Sequence, residues 1–155
     1  MIIPKETCCF TGHRNIVGDI NDIQDRVSEE VLKLINLGVK NFICGGAMGF
    51  DILCGEIILR IRQFFDIKLI MALPCKNQNK YYDKINKEKY SNLLLNANEI
   101  IYTSNCYYSG CMHKRNRYMV DNSKYVVSYC KFNKGGTYYT KTYAKSKNAS
   151  IIEVS

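Results

Sequence analysis

Three glycine-bearing segments, each placed after a short apolar run, have the residue types of a phosphate-binding loop. They are TGHR (residues 11–14), CGGAMGFD (44–51) and KGGT (134–137). Glycine lets backbone N–H groups approach an anion closely, and a helix that begins there adds the positive end of its dipole. Because the loops after parallel strands meet at one edge of an α/β sheet, the three segments predict a site for a phosphorylated small molecule.

The first segment adds side chains that can contact an anion. Thr11 supplies a hydroxyl, Gly12 permits a turn, and Arg14 supplies a planar fork that matches phosphate or carboxylate. His13 is open to two interpretations, since it can donate to a phosphate or act as an acid, or can be a polar loop residue with neither role.

The second segment surrounds the predicted start of a helix with Gly45, Gly46 and Gly49. In one interpretation its backbone amides contact phosphate or ribose, and Asp51 or Glu56 binds sugar hydroxyls. In the other, the glycines permit only a tight turn, and Asp51 stabilises the helix N-terminus. The spacing matches neither the dinucleotide-binding nor the Walker pattern, so both interpretations stay open.

The third segment has the same character as the second. Gly135, Gly136 and Thr137 precede a predicted helix and form either another anion cradle or a Gly-Gly turn with a threonine cap.

A further polar stretch, CMHKRNRYMVD at residues 111–121, reads as a helix that carries site residues. Helical spacing turns Asn116 toward the sheet, where a buried amide needs partners, and we favour a site role for it. Arg115 and Arg117 point in different directions, so at most one of them reaches the site. The tyrosine pairs at 81–82, 107–108 and 138–139 offer stacking surfaces for a base, although packing explains most tyrosines.

These segments fall within a β/α alternation that runs the whole length of the chain. Strands are predicted at 7–11, 41–44, 67–73, 99–103, 124–129 and 150–154, and helices at 19–37, 47–62, 81–95, 112–121 and 138–146. Apolar strands interleaved with such helices indicate an α/β fold, Rossmann-like, with a mostly parallel sheet and helices on both faces. We expect residues 1–155 to form a single domain.

Composition narrows the class of protein. No run approaches the roughly 18 apolar residues of a membrane span, and the N-terminus lacks a signal peptide, so we expect a cytoplasmic protein with no membrane partner. The eight cysteines include no CxxC pair, and Cys8, Cys9, Cys44, Cys54 and Cys130 lie in apolar runs. Buried, reduced thiols are therefore expected, with no metal site and no cofactor.

The net charge of +8 favours anionic partners. The lysines are dispersed, however, which is typical of a solvated surface. Nucleic acid is therefore not expected as the partner.

Five motifs, taken in order, resemble the SLOG superfamily, which joins the Smf/DprA DNA-processing proteins to the LOG nucleotide phosphoribohydrolases. They are FTGHR, GGAMGFD, ALPC, KRNRYMVDNS and GGTYYTKTYAK, and the similarity is to the small stand-alone YpsA-like branch. The resemblance implies a Rossmann-like domain that binds nucleotides or nucleotide-derived ligands, and often a homodimer or higher homo-oligomer. By position, the implied pocket contains Gly12, Arg14, Gly45, Gly46, Gly49, Asp51, Asn116, Gly135, Gly136 and Thr137.

The chain departs from the enzymatic members of that superfamily at one motif. Those members carry PGGxGTxxE, whose glutamate works with an arginine to cleave an N-glycosidic bond. Here the stretch is KGGTYYT: Lys134 replaces the proline, the loop is one residue shorter, and Thr140 takes the place of the glutamate. Threonine is poorly suited to stabilise positive charge on the ribose or to activate water, so catalysis would need Asp51 or Glu56 instead.

The favoured hypothesis is therefore a binding protein for a nucleotide-type signal of the ADP-ribose or cyclic nucleotide class. It would act as a sensor, or as a phage or mobile-element protein that sequesters a host signal, since the chain carries no effector domain. The alternatives are a nucleotide N-glycosidase (a phosphoribohydrolase) and a protein that binds single-stranded DNA.

Overall fold

Six parallel strands form one central sheet. The computed structural model describes residues 2–155. The strands are β1 (Thr7–Gly12), β2 (Asn41–Cys44), β3 (Lys68–Leu73), β4 (Glu99–Tyr102), β5 (Tyr125–Tyr129) and β6 (Ser150–Glu153). Their order across the sheet is β4-β3-β2-β1-β5-β6, and every neighbouring pair is parallel. The predicted Rossmann-like α/β fold is confirmed.

Five α-helices connect the strands and cover both faces of the sheet. They are α1 (Ile20–Asn36), α2 (Phe50–Ile61), α3 (Lys84–Asn96), α4 (Cys111–Asp121) and α5 (Gly136–Ser146). Helices α1, α2 and α3 pack on one face, and α4 and α5 pack on the other. Strands β1 and β2 alternate their side chains between the two cores, with Phe10 and Phe42 on the first face and Cys9 and Ile43 on the second.

Local residues explain where the helices begin and end. Asp19 and Asp83 cap α1 and α3 through side-chain bonds from backbone N–H groups, and Gly38 follows α1 with a φ of 99°. The sequence predicts α2 from residue 47, but the helix begins at Phe50 because Gly49 has a φ of 86°. Conversely, α5 begins at Gly136, two residues before its predicted start.

The thiols lie mostly where the sequence predicts. Cys8, Cys9, Cys44 and Cys54 are buried and free. The prediction was wrong for Cys130, which is partly exposed because it follows the last residue of β5. Among residues 2–155, no group of three or more metal-ligating side chains comes together. No helix in this range has the length and apolar character needed to cross a bilayer.

The strand order reverses between β1 and β5. Strands β2, β3 and β4 extend from one side of β1, whereas β5 and β6 lie on its other side. Open α/β sheets bind ligands in the crevice outside the carboxyl ends of the strands at such a switch point. Here those ends are Gly12 of β1 and Tyr129 of β5, which are paired in register.

Candidate functional site

A cavity of about 300 Å³ lies at this switch point. We call it the switch-point cavity. Its walls come from five segments, each located at or after the carboxyl end of one of the strands β1 to β5. The lining residues are Phe10, Thr11, Gly12, His13, Arg14, Ala47, Asp51, Gln78, Tyr82, Met112, Arg115, Asn116, Gly136 and Thr137.

Nine of the thirteen residues predicted to bind ligand line this cavity: Thr11, Gly12, His13, Arg14, Asp51, Arg115, Asn116, Gly136 and Thr137. Sequence reasoning noted Tyr82 only as part of a tyrosine pair that offers a stacking surface, and it missed Gln78, from the same loop after β3, and Met112, at the start of α4. The predicted parallel topology could have indicated these residues, because every loop after a parallel strand reaches this edge of the sheet.

The start of α5 presents free backbone donors to the cavity. The first bond of the helix runs from Tyr139 N to Gly135 O at 3.0 Å, so the N–H groups of Gly136 and Thr137 have no partner within the helix. Gly135 has no side chain with which to cap them. Thr137 is only 8% exposed, and its hydroxyl has no hydrogen-bond partner among residues 2–155. The segment can therefore donate several hydrogen bonds to one anion.

The end of β1 adds donors across the cavity. Thr11 is a buried residue that lines the cavity, and within residues 2–155 its hydroxyl also lacks a partner. Arg14 is exposed, and its guanidinium makes no ion pair or hydrogen bond in the described part of the chain. A free guanidinium, two free hydroxyls and a helix N-terminus thus line one cavity, a donor set suited to phosphate.

Arg115 is the buried cation of the site, with 3% of its surface exposed. Its Nη1 donates to Gly45 O at 2.5 Å, to Ala72 O at 3.3 Å and to Gln78 Oε1 at 3.2 Å. Its Nε donates to Asn116 Oδ1 at 2.8 Å. Arg115 therefore ties α4 to β3 and to the loops after β2 and β3, and contributes positive charge to the cavity wall.

This burial differs from the expectation that Asn116 faces the sheet. The buried stripe of α4 contains Cys111, Arg115 and Met119, at spacings of four residues. Asn116 is half-buried and lines the cavity, while Arg117 turns away to donate to Tyr139 Oη at 3.2 Å. A charged side chain occupies the inward position because backbone carbonyls and Gln78 satisfy its donors.

Asp51 is the acidic side chain among the cavity's lining residues. It lies in the first turn of α2, is buried, and accepts from Ala47 N at 3.4 Å. Burial raises the pKa of Asp51 to about 6, while the charge of Arg115 and the Ala47 N–H act in the opposite direction. Near neutral pH this carboxyl group can therefore accept a hydrogen bond, and at slightly lower pH it can donate one.

His13 links two of the loops. Its Nε2 accepts from Lys131 N at 2.9 Å, and its ring packs against Tyr129 and Phe132. Burial lowers the pKa of His13, and Glu153 partly opposes this. His13 thus stays neutral with its proton on Nδ1, and holds the loop after β5 beside the loop after β1.

The glycines of the second segment lie behind the cavity wall. A Cβ at Gly49 would overlap the carbonyl oxygen of Arg14, and one at Gly45 would lie 2.8 Å from both Arg115 and Asp51. Gly46 has a φ of 73°, and its carbonyl accepts from Tyr82 Oη at 3.0 Å. These glycines allow loops to pack on one another. Gly135, the remaining predicted residue, also lies outside the lining.

Two further candidates lie away from the cavity. Glu56 lines a separate hollow, where its Oε1 is 3.9 Å from Lys89 Nζ. Thr140, which the sequence comparison above matched to the glutamate of the enzymatic members, is buried and donates to Gly136 O at 2.9 Å. Asp51 is therefore the one of the two candidate catalytic acids that lines the switch-point cavity.

The chain belongs to the YspA SLOG family, whose model, YpsA, matches residues 6–153. An SPbeta prophage-derived protein of Bacillus subtilis, YoqJ, is 31% identical over 137 residues, which cover 79% of this chain and 80% of that protein. A UPF0398 protein of Macrococcus caseolyticus is 21% identical over 65% of this chain and 56% of its own length. The resemblance to the YpsA-like branch is confirmed.

Solved structures of DNA processing protein A share the fold. The protein from Helicobacter pylori, described for its single-stranded DNA binding mode, superposes with a TM-score of 0.67 at 20% identity. The one from Streptococcus pneumoniae gives 0.68 at 16% identity. Each match covers 97% of this chain, but only 65% and 50% of those chains.

Proposed function

We propose that this protein binds a nucleotide or a nucleotide-derived ligand in the switch-point cavity. One observation carries the proposal: the unpartnered donors of Arg14, Thr11, Thr137 and the start of α5 all line the same cavity. Each of them is a donor that a phosphate group can use, and the net charge of +8 helps to attract an anion.

Asp51 fits the sugar of such a ligand better than its phosphate. An ionised carboxylate repels phosphate, but it accepts hydrogen bonds from the hydroxyls of a ribose. Because Asp51 follows β2 while Thr137 follows β5, the ribose and the phosphate have separate partners in one cavity.

We further propose that the protein keeps its ligand intact, as a sensor or as a sequestering protein for signals of the ADP-ribose or cyclic nucleotide class. Thr140 supports retention over hydrolysis, because its hydroxyl bonds within α5 and adds no acid to the cavity. The prophage origin of the relative YoqJ supports sequestration for a mobile element. In this proposal residues 1–155 act as one domain, and the cytoplasmic location and the homodimer stay predictions.

A second candidate, nucleotide N-glycosidase activity, is favoured by Asp51 alone. A buried carboxyl group in a cavity, with its pKa raised to about 6, has the properties of a general acid or base near neutrality. Asp51 lies after β2, whereas the stretch that corresponds to PGGxGTxxE lies after β5. As a catalytic group, Asp51 would therefore act from the opposite side of the switch point.

Mass spectrometry of small molecules released by heat from the purified protein separates these functions. Calorimetric titration with AMP and ADP-ribose should accompany it. Recovery of an intact nucleotide, whose affinity falls about tenfold or more in Arg14→Ala and Thr137→Ala, is expected. Arg117→Ala is the matched control, since Arg117 lies on the outer side of α4.

Other results would change the conclusion. Free base and ribose phosphate, formed by wild type but not by Asp51→Asn, would establish the glycosidase. Oligonucleotide binding with a steep salt dependence, and no affinity for AMP or ADP-ribose, would contradict the small-molecule proposal and support DNA binding.

A further inference from the structure

A second cavity, of about 540 Å³, lies directly beside the switch-point cavity. Arg14, Gln78, Tyr82 and Met112 line both of them. Because these four side chains are shared, the two cavities adjoin, and parts of one ligand can lie on either side of them. We call the second one the tyrosine cavity.

The two cavities differ in their chemistry. The switch-point cavity combines the rings of Phe10, His13 and Tyr82 with hydroxyls, amides, arginines and a carboxylate, whereas half of the tyrosine cavity's ten lining residues supply three aromatic rings and two thioethers. These groups belong to Tyr81, Tyr82, Tyr107, Met48 and Met112. Aromatic and thioether surfaces pack favourably on the flat face of another ring. The tyrosine cavity therefore suits an aromatic group, and the switch-point cavity suits a polar one.

Two of the tyrosine rings are available to a ligand. Tyr81 is 87% exposed and Tyr107 is 67% exposed, on the separate loops that follow β3 and β4. Neither hydroxyl has a hydrogen-bond partner within residues 2–155, and the contact recorded for the Tyr81 ring is with Lys80 Nζ, 5.4 Å from its centroid. These rings contribute little to the core, so their exposed faces are free to stack.

The third tyrosine gives the cavity a fixed side. Tyr82 is buried, donates from Oη to Gly46 O at 3.0 Å, and packs edge-on against Tyr90 with ring centroids 5.6 Å apart. Its position is therefore set by the protein before any ligand arrives, which lowers the entropy lost on binding.

Charge favours the same occupant. The lining of the tyrosine cavity contains Arg14 and Lys80 but no carboxylate. Arg14 lines both cavities, so an anionic group at their junction meets its guanidinium. An aromatic ring joined to a phosphate through a short polar linker matches this distribution, and a nucleotide is such a molecule.

We propose that the tyrosine cavity is a base-binding subsite, in which the base of a purine or pyrimidine nucleotide stacks on Tyr81 and Tyr107. The inference rests on the proposed function, since it places the phosphate and ribose of the same ligand in the switch-point cavity. In this proposal an aromatic base is an essential part of the ligand, and the two exposed tyrosines recognise that base.

The test compares ligands with and without a base. Calorimetric titration uses the four nucleoside 5′-monophosphates and ribose 5-phosphate. For the wild-type protein, at least one nucleotide should bind about tenfold or more tightly than ribose 5-phosphate, because stacking on one aromatic side chain contributes about 1–3 kcal/mol per base, or about 5- to 150-fold in Kd. The Tyr81→Ala/Tyr107→Ala double variant should lose that advantage and bind ribose 5-phosphate as the wild type does.

Two matched controls accompany the double variant. Tyr108→Ala removes a neighbouring ring that is 44% exposed and lies outside the cavity lining, so it should leave every affinity unchanged. Tyr81→Phe/Tyr107→Phe keeps both rings and should retain the preference for nucleotides, since stacking does not need the hydroxyl.

The remaining outcomes separate the two proposals. If nucleotides and ribose 5-phosphate bind the wild type equally and both weaken in Thr137→Ala, the base subsite is wrong and the proposed function stands. If a nucleotide preference persists in the double alanine variant, the base lies elsewhere and the subsite is again wrong. If none of these compounds binds, and ADP-ribose and cyclic nucleotides do not bind either, the proposed function fails, and the subsite fails with it.

Discussion

The loops after β2 and β5 both place glycines before a helix, but the protein uses the two sets in opposite ways. In the loop after β2, an added Cβ at Gly45 or Gly49 would meet Arg115, Asp51 or the backbone of Arg14. In the loop after β5, a Cβ at Gly135 or Gly136 would meet nothing within 4 Å. The first loop needs glycine because the protein fills the space beside it, and the second leaves that space empty.

The glycines after β2 therefore allow the chain to pack, whereas those after β5 leave room for a ligand. The carbonyls of Gly45 and Gly46 accept hydrogen bonds from Arg115, Gln78 and Tyr82. The polar groups of the loop after β2 are therefore bonded to other parts of the protein. The loop after β5 ends in the free N–H groups of α5, which face a cavity. Substitutions in the first loop should therefore affect folding, and a substitution at Gly136, which has no positive φ, should mainly affect ligand affinity.

The largest effect is expected for Gly49→Ala. The new methyl group would overlap the carbonyl oxygen of Arg14, and a φ of 86° is unfavourable for alanine. We expect the free energy of unfolding, measured by urea denaturation, to fall by about 4 kcal/mol. Gly18→Ala isolates the backbone term, because Gly18 has a φ of 96° but open space around it, and should cost about 1 kcal/mol. Equal losses in the two variants would show that the packing of the loop on Arg14 is unimportant.

Arg115→Met should have the next largest effect. The change leaves the carbonyls of Gly45 and Ala72 without their donor and removes the cation nearest to Asp51. The free energy of unfolding should fall by about 3 kcal/mol. The control Arg117→Met changes an arginine of the same helix whose recorded bond is to an exposed tyrosine, and should change stability by less than about 0.5 kcal/mol. A similar loss in both variants would contradict the structural role assigned to Arg115.

Asp51→Asn should change how stability depends on pH. The pKa of Asp51 is about 6 in the folded protein and near 3.8 when unfolded, so the unfolded state ionises first as the pH rises. The wild-type protein should therefore lose about 3 kcal/mol from this group between about pH 4 and pH 6, and the asparagine variant should not. Urea denaturation at pH 4, 5, 6 and 7 measures the difference between the two curves. Parallel curves would mean that Asp51 titrates normally.

The smallest effect on folding is expected for Gly136→Ala. Gly136 has open space and no positive φ, so alanine should raise the free energy of unfolding by about 0.5 kcal/mol. The methyl group would stand beside the free N–H groups of α5, and the affinity for AMP should fall severalfold in calorimetric titration. A loss of stability comparable with that of Gly49→Ala would remove the distinction between the two loops.

Much of the fold was predictable because its signals are local. Alternating apolar strands and amphipathic helices are visible in the sequence, and Gly38 marks the end of α1 as predicted. The carboxyl edge of the sheet was predictable as the place of the cavity, since parallel topology brings the loops after the strands together.

The details of the site depend on tertiary contacts that spacing does not contain. Helical periodicity placed Asn116 inward, but Arg115 is buried because carbonyls from β2 and β3 segments, distant in sequence, satisfy it. Likewise, the sequence does not distinguish Gly49, which has a positive φ and packs against Arg14, from Gly136, which has neither feature. The loop after β3 lacks glycine pairs, so Gln78 belongs to no motif, and Tyr82 was noticed only as part of a tyrosine pair.

The five-segment construction of the switch-point cavity has a consequence for hydrogen exchange. No single loop contains the site, so local opening of any of the five segments disrupts it. A bound ligand should therefore slow amide exchange in all five segments together, including those after β2 and β4 that lie far apart in sequence. A bound ligand would then make these five segments open as one cooperative unit. Its presence could be detected as increased resistance of the protein to partial unfolding.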